Sequence, residues 1–314
     1  MRIVFCGTPE FAVPSLKHLI ADPGFSIEAV LTQPDRPRGR GGRVTSSPVK
    51  DVAIEAGLHV YQPEKLKSDS AFDFIKRIAP DAVVIIAFGQ IVPQRLIEIP
   101  PLGWINLHAS LLPKYRGAAP IAWAIAHGEK RTGLTTMQID AGLDSGPILM
   151  QIEMEIGAEE TAPELSGRMA QAGAPLVADT LRKLSRGEIT PVPQDQSQAS
   201  FAPILKKEHG RIDWSHNAAR IYNRIRGFDP WPGAFTTFRQ QLCHLWGRPV
   251  ETPPGAPNHV AEGSIFSSGS QVLAACGEQT WLRVDFVQLE GRKRLPAREW
   301  AHGARLTPSD RFET

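Results

Sequence analysis

The chain has few cysteines and no long hydrophobic run. Its 314 residues include three cysteines, Cys6, Cys243 and Cys276, which are widely spaced and never form a Cys-x-x-Cys pair. This pattern argues against a disulfide framework and against a cysteine zinc site. No apolar run reaches the length needed to cross a membrane, and the N-terminal MRIVFCGTPEF reads as a strand and a turn rather than as a signal peptide. We therefore expect a globular protein of the reducing cytoplasm, with no membrane partner.

Two kinds of ligand motif are also missing. No Gly-x-Gly-x-x-Gly follows the first strand-like run, so a nicotinamide or flavin dinucleotide site is not expected. There is no His-Glu-x-x-His motif and no clustered Cys and His pattern, so no metal is predicted. The first turn, Gly7-Thr8-Pro9-Glu10, could hold a phosphate, but Thr8 acting as a helix N-cap explains it without a ligand.

Charge is distributed unevenly, although the formal net charge is only +2. Up to Leu205 there are 20 basic and 22 acidic residues, and after it there are 15 basic and 11 acidic residues. The C-terminal part thus carries +4, against −2 for the rest. A solvated basic face and a polyanionic partner are both compatible with this excess.

The first half alternates strand-like runs with helical patterns. The runs are RIVF, SIEAVLT, DAVVIIAF and WINLH, and the helices that follow them are expected near 11–20, 48–56, 93–98 and 119–127. Such alternation predicts a parallel sheet covered by helices on both faces. Two further strand-like runs flank the turn DAGLDSG at 140–146, and a helix with a buried Met and Leu stripe is expected after Thr161.

The remainder of the chain has a different character. Residues 185–205 are polar, rich in Pro, Gln and Ser, and read as an exposed connector. Beyond them, five of the seven tryptophans, several short strand candidates and many turn residues predict a small β-barrel. A helix capped by Ser215 and closed by Gly227 is expected before the barrel, with Arg220 and Arg224 facing outward. These arginines are consistent with a phosphate contact and with a merely solvated face.

The run INLHASLLPKYRGAAP at 105–120 carries the clearest candidate chemistry. Asn106 and His108 are two residues apart in a predicted strand, so their side chains point to the same face. Acyl transfer needs a donor to a developing oxyanion beside a group that moves protons, and this pair supplies both. The pair could instead satisfy nearby backbone groups, and Asp144 in its glycine-bounded turn could simply cap its own backbone.

Taken together, these segments resemble the signature of folate-dependent formyltransferases. NLHASLLPKYRGAAP is followed by DAGLDSG, and within this superfamily the chain most resembles the methionyl-tRNA formyltransferase family. The likeness extends to VFCGTPEFAVPSL at the start, TQPDRPRGRG at 32–41, SPVK at 47–50, GRIDWS at 210–215 and DPWPGAF at 229–235. The resemblance implies a Rossmann-like catalytic domain over 1–188, a linker over 189–205 and an OB-like tRNA-binding domain over 206–314.

The activity implied by the resemblance is formyl transfer from 10-formyltetrahydrofolate to the α-amine of methionine on initiator tRNA, for translation initiation, by a monomer. Asn106 would polarise the formyl oxygen, His108 would handle protons, and Asp144 would orient His108. The implied folate contacts are Ser110, Leu111, Leu112 and Pro113, then Phe88, Gly89, Gln90, Ile91 and Val92, and finally Ile139 and Asp140. Phe88 and Gln90 depart from the Tyr and the aliphatic residue often found in relatives.

The catalytic set alone does not identify the acceptor, because enzymes with the same set formylate sugar nucleotides or glycinamide ribonucleotide, or hydrolyse formyl folate. Arg36, Arg38, Arg40 and Arg43 lie in a Gly- and Pro-rich stretch that resembles the family's insertion into the acceptor stem. A solvated loop is the other interpretation. A sugar-nucleotide formyltransferase and a non-catalytic RNA-binding module remain as alternatives; the second would give no reason for the catalytic set.

Overall fold

The computed structural model describes residues 1–38, 43–254, 256, 260–269 and 271–313. The chain forms two compact units. The first comprises Met1–Pro120, Arg131–Glu155 and Glu164–Ala202, and the second comprises Ile121–Lys130, Ile156–Pro163 and Pro203–Thr314. Two short segments that precede residue 164 therefore belong to the second unit, and most of the polar connector belongs to the first.

The helices are α1 (Val13–Ala21), α2 (Pro48–Glu55), α3 (Asp69–Ile78), α4 (Gln94–Ile97), α5 (Pro120–Ala126), α6 (Ala162–Ser185), α7 (Ala218–Gly227) and α8 (Ala297–Ala304). Within the described ranges, none of them is long and apolar enough to cross a membrane. The strands of the first unit are β1 (Arg2–Gly7), β2 (Ser26–Leu31), β3 (Arg36–Arg38), β4 (Arg43–Thr45), β5 (Val60–Tyr61), β6 (Ala82–Ile86), β7 (Trp104–His108), β8 (Arg131–Gln138) and β9 (Ile148–Glu155). Those of the second unit are β10 (Phe235–Phe238), β11 (Gln241–Val250), β12 (Ile265–Ser268), β13 (Gln271–Cys276), β14 (Thr280–Leu289), β15 (Leu295–Pro296) and β16 (Phe312–Glu313).

The main sheet of the first unit is mostly parallel. Its order is β5-β2-β1-β6-β7-β8-β9, in which β8 pairs antiparallel with both β7 and β9 and the other neighbours pair parallel. On one face, α6 packs so closely that a Cβ at Gly173 would lie 2.6 Å from Leu107 Cδ2. On the other face, Ile75 of α3 and Leu96 of α4 join strand residues such as Val4 in one buried apolar cluster. The predicted Rossmann-like α/β sheet is confirmed.

The sequence patterns above do not predict α3, which follows the short strand β5. The helix begins after Ser68, whose hydroxyl accepts a hydrogen bond from the Ala71 N–H, and it ends at Ala79, which has a left-handed conformation with φ of 46°. Only Ala71 and Ile75 within it are buried. The two phenylalanines of the helix and its last isoleucine also pack, partly buried, against the same apolar cluster, so the helix has a broad apolar stripe in addition to the cap at Ser68.

The second unit is built on an antiparallel sheet. Its order is β12-β13-β14-β11-β10-β16, and β15 pairs with β14. The two ends of the sheet meet where the Phe312 N–H donates to the Gly263 carbonyl at 2.8 Å. Phe312 also stacks between Trp214 and Trp300 in the interior, with ring centroids 5.4 Å and 5.7 Å away. The sheet is nearly closed, which confirms the predicted OB-like barrel.

The helix predicted before the barrel is α7, but its predicted N-cap was wrong. The Asn217 side chain accepts a hydrogen bond from the Arg220 N–H at 2.9 Å. Ser215 instead donates its hydroxyl to Asp213 at 2.6 Å and closes the preceding turn. Arg224 is half-buried and donates to a backbone carbonyl at 2.6 Å, so it does not face fully outward.

Candidate active site

Strand β7 directs Asn106 and His108 to one face of the main sheet. Leu107 between them packs against α6, so its two neighbours point to the opposite face. Asn106 lies between Ile85 of β6 and Met137 of β8 in the register of the sheet. The amide and the imidazole therefore stand side by side near the carboxyl end of a parallel strand, which is where open α/β sheets bind ligands.

His108 is held from both sides of its ring. The side chain is 6% exposed, and its Nε2 lies 2.9 Å from the Tyr115 carbonyl oxygen. Because a carbonyl only accepts, Nε2 carries the hydrogen and donates it to Tyr115. Nδ1 lies 3.7 Å from Asp144 Oδ2. In the neutral ring, the basic nitrogen is therefore Nδ1, on the side of Asp144.

Both partners of His108 lie on unusual backbone. Tyr115 has φ of 62° and Asp144 has φ of 47°, in the left-handed region that residues other than glycine seldom adopt. Such conformations persist when surrounding contacts hold them, and they are concentrated at functional sites. The Gly117 N–H provides one such contact, because it donates to Asp144 Oδ2 at 2.8 Å.

The Asn106 amide is available for a ligand. Its side chain is partly exposed, and it makes no hydrogen bond to any other residue in the described part of the chain. In the alternative interpretation, both side chains only satisfy nearby backbone groups. His108 does bind a backbone carbonyl through Nε2, but Asn106 has no such partner among the described residues. An unengaged amide beside an oriented imidazole is suited to stabilising an oxyanion.

Gly117→Ala is expected to lower the kcat of the predicted acyl transfer by about 10- to 100-fold. Gly117 has φ of +118°, and a Cβ there would lie 2.7 Å from the Ala202 carbonyl oxygen, so the backbone must move and carry its N–H away from Asp144. Steady-state kinetics together with thermal unfolding test this. Gly187→Ala is the matched control, because Gly187 has φ of +67° but nothing within 4 Å of the added Cβ. The prediction fails if both variants keep wild-type kcat.

The candidate folate segment Ser110–Pro113 is held by its neighbours. The Thr135 hydroxyl donates to the Ser110 carbonyl at 2.6 Å and accepts from the Leu112 N–H at 3.1 Å. Gln151 donates to the Leu112 carbonyl at 2.9 Å. Ser110 donates its own hydroxyl to the carbonyl four residues later, at 2.6 Å. Its side chain therefore stabilises the loop.

The loop from Phe88 to Val92 is tied to the first turn of the chain. The Phe88 carbonyl accepts hydrogen bonds from the Gln33 side chain at 3.0 Å and from the Thr8 hydroxyl at 3.3 Å. Thr8 is therefore not an N-cap, and that prediction was wrong: the first turn is a short 3-10 segment capped at Pro9 without a side-chain hydrogen bond. Thr8 instead links the first loop to the candidate folate loop.

Within this loop, Gln90 and Ile91 point in different directions. The Gln90 side chain accepts from the Leu66 N–H at 2.7 Å and donates to the Pro63 carbonyl at 3.2 Å, so it holds the loop against its neighbour. Ile91 is 90% exposed. In the other candidate folate segment, the Ile139 N–H donates to the Trp104 carbonyl, and the Asp140 carboxylate accepts from the Ser145 hydroxyl at 2.9 Å.

The described parts of the arginine-rich segment are two short strands at its two ends. β3 pairs antiparallel with β4, which aligns Arg38 with Arg43, and the Arg36 side chain is exposed. Arg40 lies outside the described residues. Just before β3, hydrogen bonds from the side chains of Lys50 and then Gln62 hold the pKa of Asp35 below its ordinary value. The start of this segment is therefore anchored to the rest of the first unit.

Sequence comparison identifies both units. The family described as "Formyl transferase" matches residues 1–181, and "Formyl transferase, C-terminal domain" matches residues 204–305. The chain is 52% identical over 313 residues to the methionyl-tRNA formyltransferase of Solibacter usitatus, covering 99% of this chain and 98% of that protein. The chain belongs to the methionyl-tRNA formyltransferase family. The protein of the same name from Koribacter versatilis is 49% identical, with the same coverage of both chains.

The fold of this chain is similar to that of other formyltransferases of known structure. The N-formyltransferase from Helicobacter canadensis, solved in complex with folinic acid and dTDP-3-aminofucose, is similar with a TM-score of 0.64. Its sequence is 17% identical, and the match covers 90% of this chain and 98% of that one. Because an N-formyltransferase solved with dTDP-3-aminofucose has a similar fold, the fold alone does not identify the acceptor.

Sequence reasoning did not find several residues that surround the candidate catalytic set. Tyr115 orients His108 through a backbone atom, which no side-chain pattern reveals. Arg116 and Gln194 are both buried and joined by hydrogen bonds, although they are 78 residues apart. Gln194 lies in the polar connector, whose composition gave no signal of a buried contact.

Proposed function

We propose that this chain transfers the formyl group of 10-formyltetrahydrofolate to the α-amine of methionine on initiator tRNA. The observation that carries the proposal is His108, buried between the Tyr115 carbonyl and Asp144 and two residues from the unengaged Asn106 amide. Identity of about one half to named methionyl-tRNA formyltransferases across both units supports it.

Each residue has a role in this chemistry. The donor supplies an activated formyl carbon, and the reaction forms a C–N bond to the methionine amine while the bond to the folate nitrogen breaks. Asn106 donates a hydrogen bond to the formyl oxygen as it gains negative charge. His108 Nδ1 accepts the proton lost by the amine and returns it to the departing folate nitrogen. Asp144 stabilises the imidazolium that exists between these two steps.

The candidate folate segments have suitable surroundings for a flat ligand. Ile91 is 90% exposed and Leu143 is 60% exposed, and each lies within or next to one of these segments. Covering such side chains with an aromatic ligand removes apolar surface from water. Gly89 has φ of 84°, so the backbone there adopts a conformation that a side chain would strain. These observations support main-chain recognition of the pterin by Phe88–Val92 and Ile139–Asp140, with Ser110–Pro113 as a wall.

The tRNA contacts belong to the same proposal. Arg36, Arg38, Arg40 and Arg43 would bind the acceptor end, and the basic residues after Leu205 would bind the tRNA body. We propose that residues 1–188 act as the catalytic domain, 189–205 as a linker and 206–314 as the tRNA-binding domain. The enzyme would act as a monomer in the cytoplasm, where charged initiator tRNA is found.

Arg40→Leu is expected to lower kcat/KM for charged tRNA by about 10- to 100-fold, since a charged contact to phosphate is lost. The KM for the folate donor should stay close to that of the wild type. Arg77→Leu, which removes an exposed arginine of α3, is the control and should leave both values unchanged. An equal loss for both substrates in Arg40→Leu would contradict the assignment of this segment to tRNA.

A substrate panel tests the acceptor. Charged initiator tRNA, a dTDP-amino sugar and glycinamide ribonucleotide are each offered with 10-formyltetrahydrofolate, and free tetrahydrofolate is measured. We expect turnover with the charged tRNA alone. Turnover with the amino sugar and none with tRNA would make the chain a sugar formyltransferase, and release of formate without an acceptor would make it a hydrolase.

A further inference from the structure

We propose that Gln194 is a positioning residue that holds the Asp144 turn against His108, using Arg116 as its support. The inference rests on the proposed function, because it assigns to Gln194 an effect on the residue that supports proton transfer. Gln194 is 7% exposed and Arg116 is 4% exposed. Both lie in the first unit, as do His108 and Asp144.

The Gln194 side-chain amide bridges the Asp144 turn and the Arg116 guanidinium. Its nitrogen donates to the Asp144 carbonyl at 2.9 Å and to the Gly146 carbonyl at 2.7 Å. Its oxygen accepts from Arg116 Nε at 3.0 Å and from Arg116 Nη2 at 2.6 Å. The orientation of the amide is fixed, since carbonyls only accept and a guanidinium only donates. All the hydrogen-bonding capacity of this buried amide is used.

Arg116 has an unusual set of partners. Its third hydrogen bond goes to the Gln196 side chain at 2.8 Å, and no carboxylate of the described chain lies within ion-pair distance of its guanidinium. Its backbone is also fixed, because its N–H donates to the Ser200 carbonyl and its carbonyl accepts from the Ala202 N–H. A buried cation satisfied by amides alone is costly to disturb, which makes Arg116 a rigid support for Gln194.

Two sets of hydrogen bonds hold Asp144, one at the backbone of its turn and one at its carboxylate. Gln194 holds the backbone on both sides of Ser145, while the N–H of Gly117, the residue after Arg116, holds the carboxylate. Asp144 keeps its left-handed φ of 47° within this clamp. The connector predicted as a mere linker thus contributes a side chain that sets the position of Asp144 relative to His108.

Gln194→Glu is the sharpest test. Glutamate has nearly the same shape and still accepts from Arg116, but it places a second oxygen against two carbonyls in place of a donor. We expect kcat for methionyl-tRNA to fall about 10- to 100-fold, while the KM values for tRNA and folate stay close to wild type. Gln194→Asn, whose amide is one methylene shorter, should show a smaller loss in the same direction, and serves if the first variant does not fold. Gln198→Glu is the control, since Gln198 is exposed and, among the described residues, its side chain bonds only Asp195.

A second readout does not depend on activity. The Gly117 N–H donates to Asp144, so its hydrogen exchange, followed by NMR, should become about tenfold faster in Gln194→Glu and stay unchanged in Gln198→Glu. In combination with Asp144→Asn, the Gln194→Glu change should cost little further kcat, because both act through the same carboxylate.

The outcomes separate the two proposals. Unchanged Gly117 exchange together with wild-type kcat in both Gln194 variants overturns the positioning role, and so does a double variant whose losses multiply. If the wild type does not formylate methionyl-tRNA but Gly117 exchange still responds to Gln194→Glu, the proposed function fails and the structural clamp stands.

Discussion

His108→Ala is expected to lower kcat by about 10³-fold, which corresponds to about 4 kcal/mol of transition-state stabilisation. The amine must lose a proton as it attacks, and the folate nitrogen must gain one as it leaves. With His108 absent, no other side chain in the described site is oriented by both a carbonyl and a carboxylate at these distances. The KM values should change little, since the imidazole acts mainly on the reacting atoms.

Single-turnover formylation of charged tRNA at saturating folate measures this loss directly. His18→Ala is the matched control, because His18 is an exposed residue of α1 and should leave the rate unchanged. A His108→Ala variant that formylates at the wild-type rate would remove this residue from the mechanism. The hydrogen bond from His108 Nε2 to the Tyr115 carbonyl would then only stabilise the structure.

Asn106→Ala should cost about 3–4 kcal/mol of transition-state stabilisation, seen as a fall in kcat of about 10²- to 10³-fold. The amide makes no hydrogen bond within the described chain, so its removal leaves no buried partner unsatisfied and should barely affect stability. Asn106→Asp is the informative companion. Aspartate has the same shape but lacks the N–H donor, so its kcat should be at least as low as that of the alanine variant.

Kinetics and thermal unfolding of the three proteins distinguish the interpretations. If Asn106→Asp retains wild-type kcat, the donor is not required and the oxyanion must be stabilised elsewhere. If Asn106→Ala instead lowers the melting temperature strongly with a proportionate loss of activity, Asn106 has a structural role.

The sequence predicts those parts of the molecule that depend on local patterns. Strand and helix alternation gave the main sheet, and the Met and Leu stripe gave α6, because both follow the periodicity of a single element. The spacing of Asn106 and His108 placed both on one face for the same reason. The resemblance then brought Asp144 into the set, and the structure places its carboxylate 3.7 Å from the imidazole.

The surrounding contacts could not be predicted, because they join residues that are distant in sequence or use backbone atoms. Gln194 meets the Asp144 carbonyl across 50 residues, and Thr8 meets the Phe88 carbonyl across 80. Local reasoning assigned Thr8 to a cap and Gln194 to a solvated connector, since short polar side chains usually act close to their own position. Tertiary hydrogen bonding decided both cases instead.

The central claim is that this chain formylates methionine on initiator tRNA with His108 as the proton-transferring group. The most direct measurement is mass spectrometry of the aminoacyl group after reaction with 10-formyltetrahydrofolate, using initiator and elongator methionyl-tRNA and the wild-type and His108→Ala proteins. We predict formyl-methionine on initiator tRNA with the wild type, and little or none on elongator tRNA or with His108→Ala. Unmodified methionine on initiator tRNA after reaction with the wild-type protein would contradict the account.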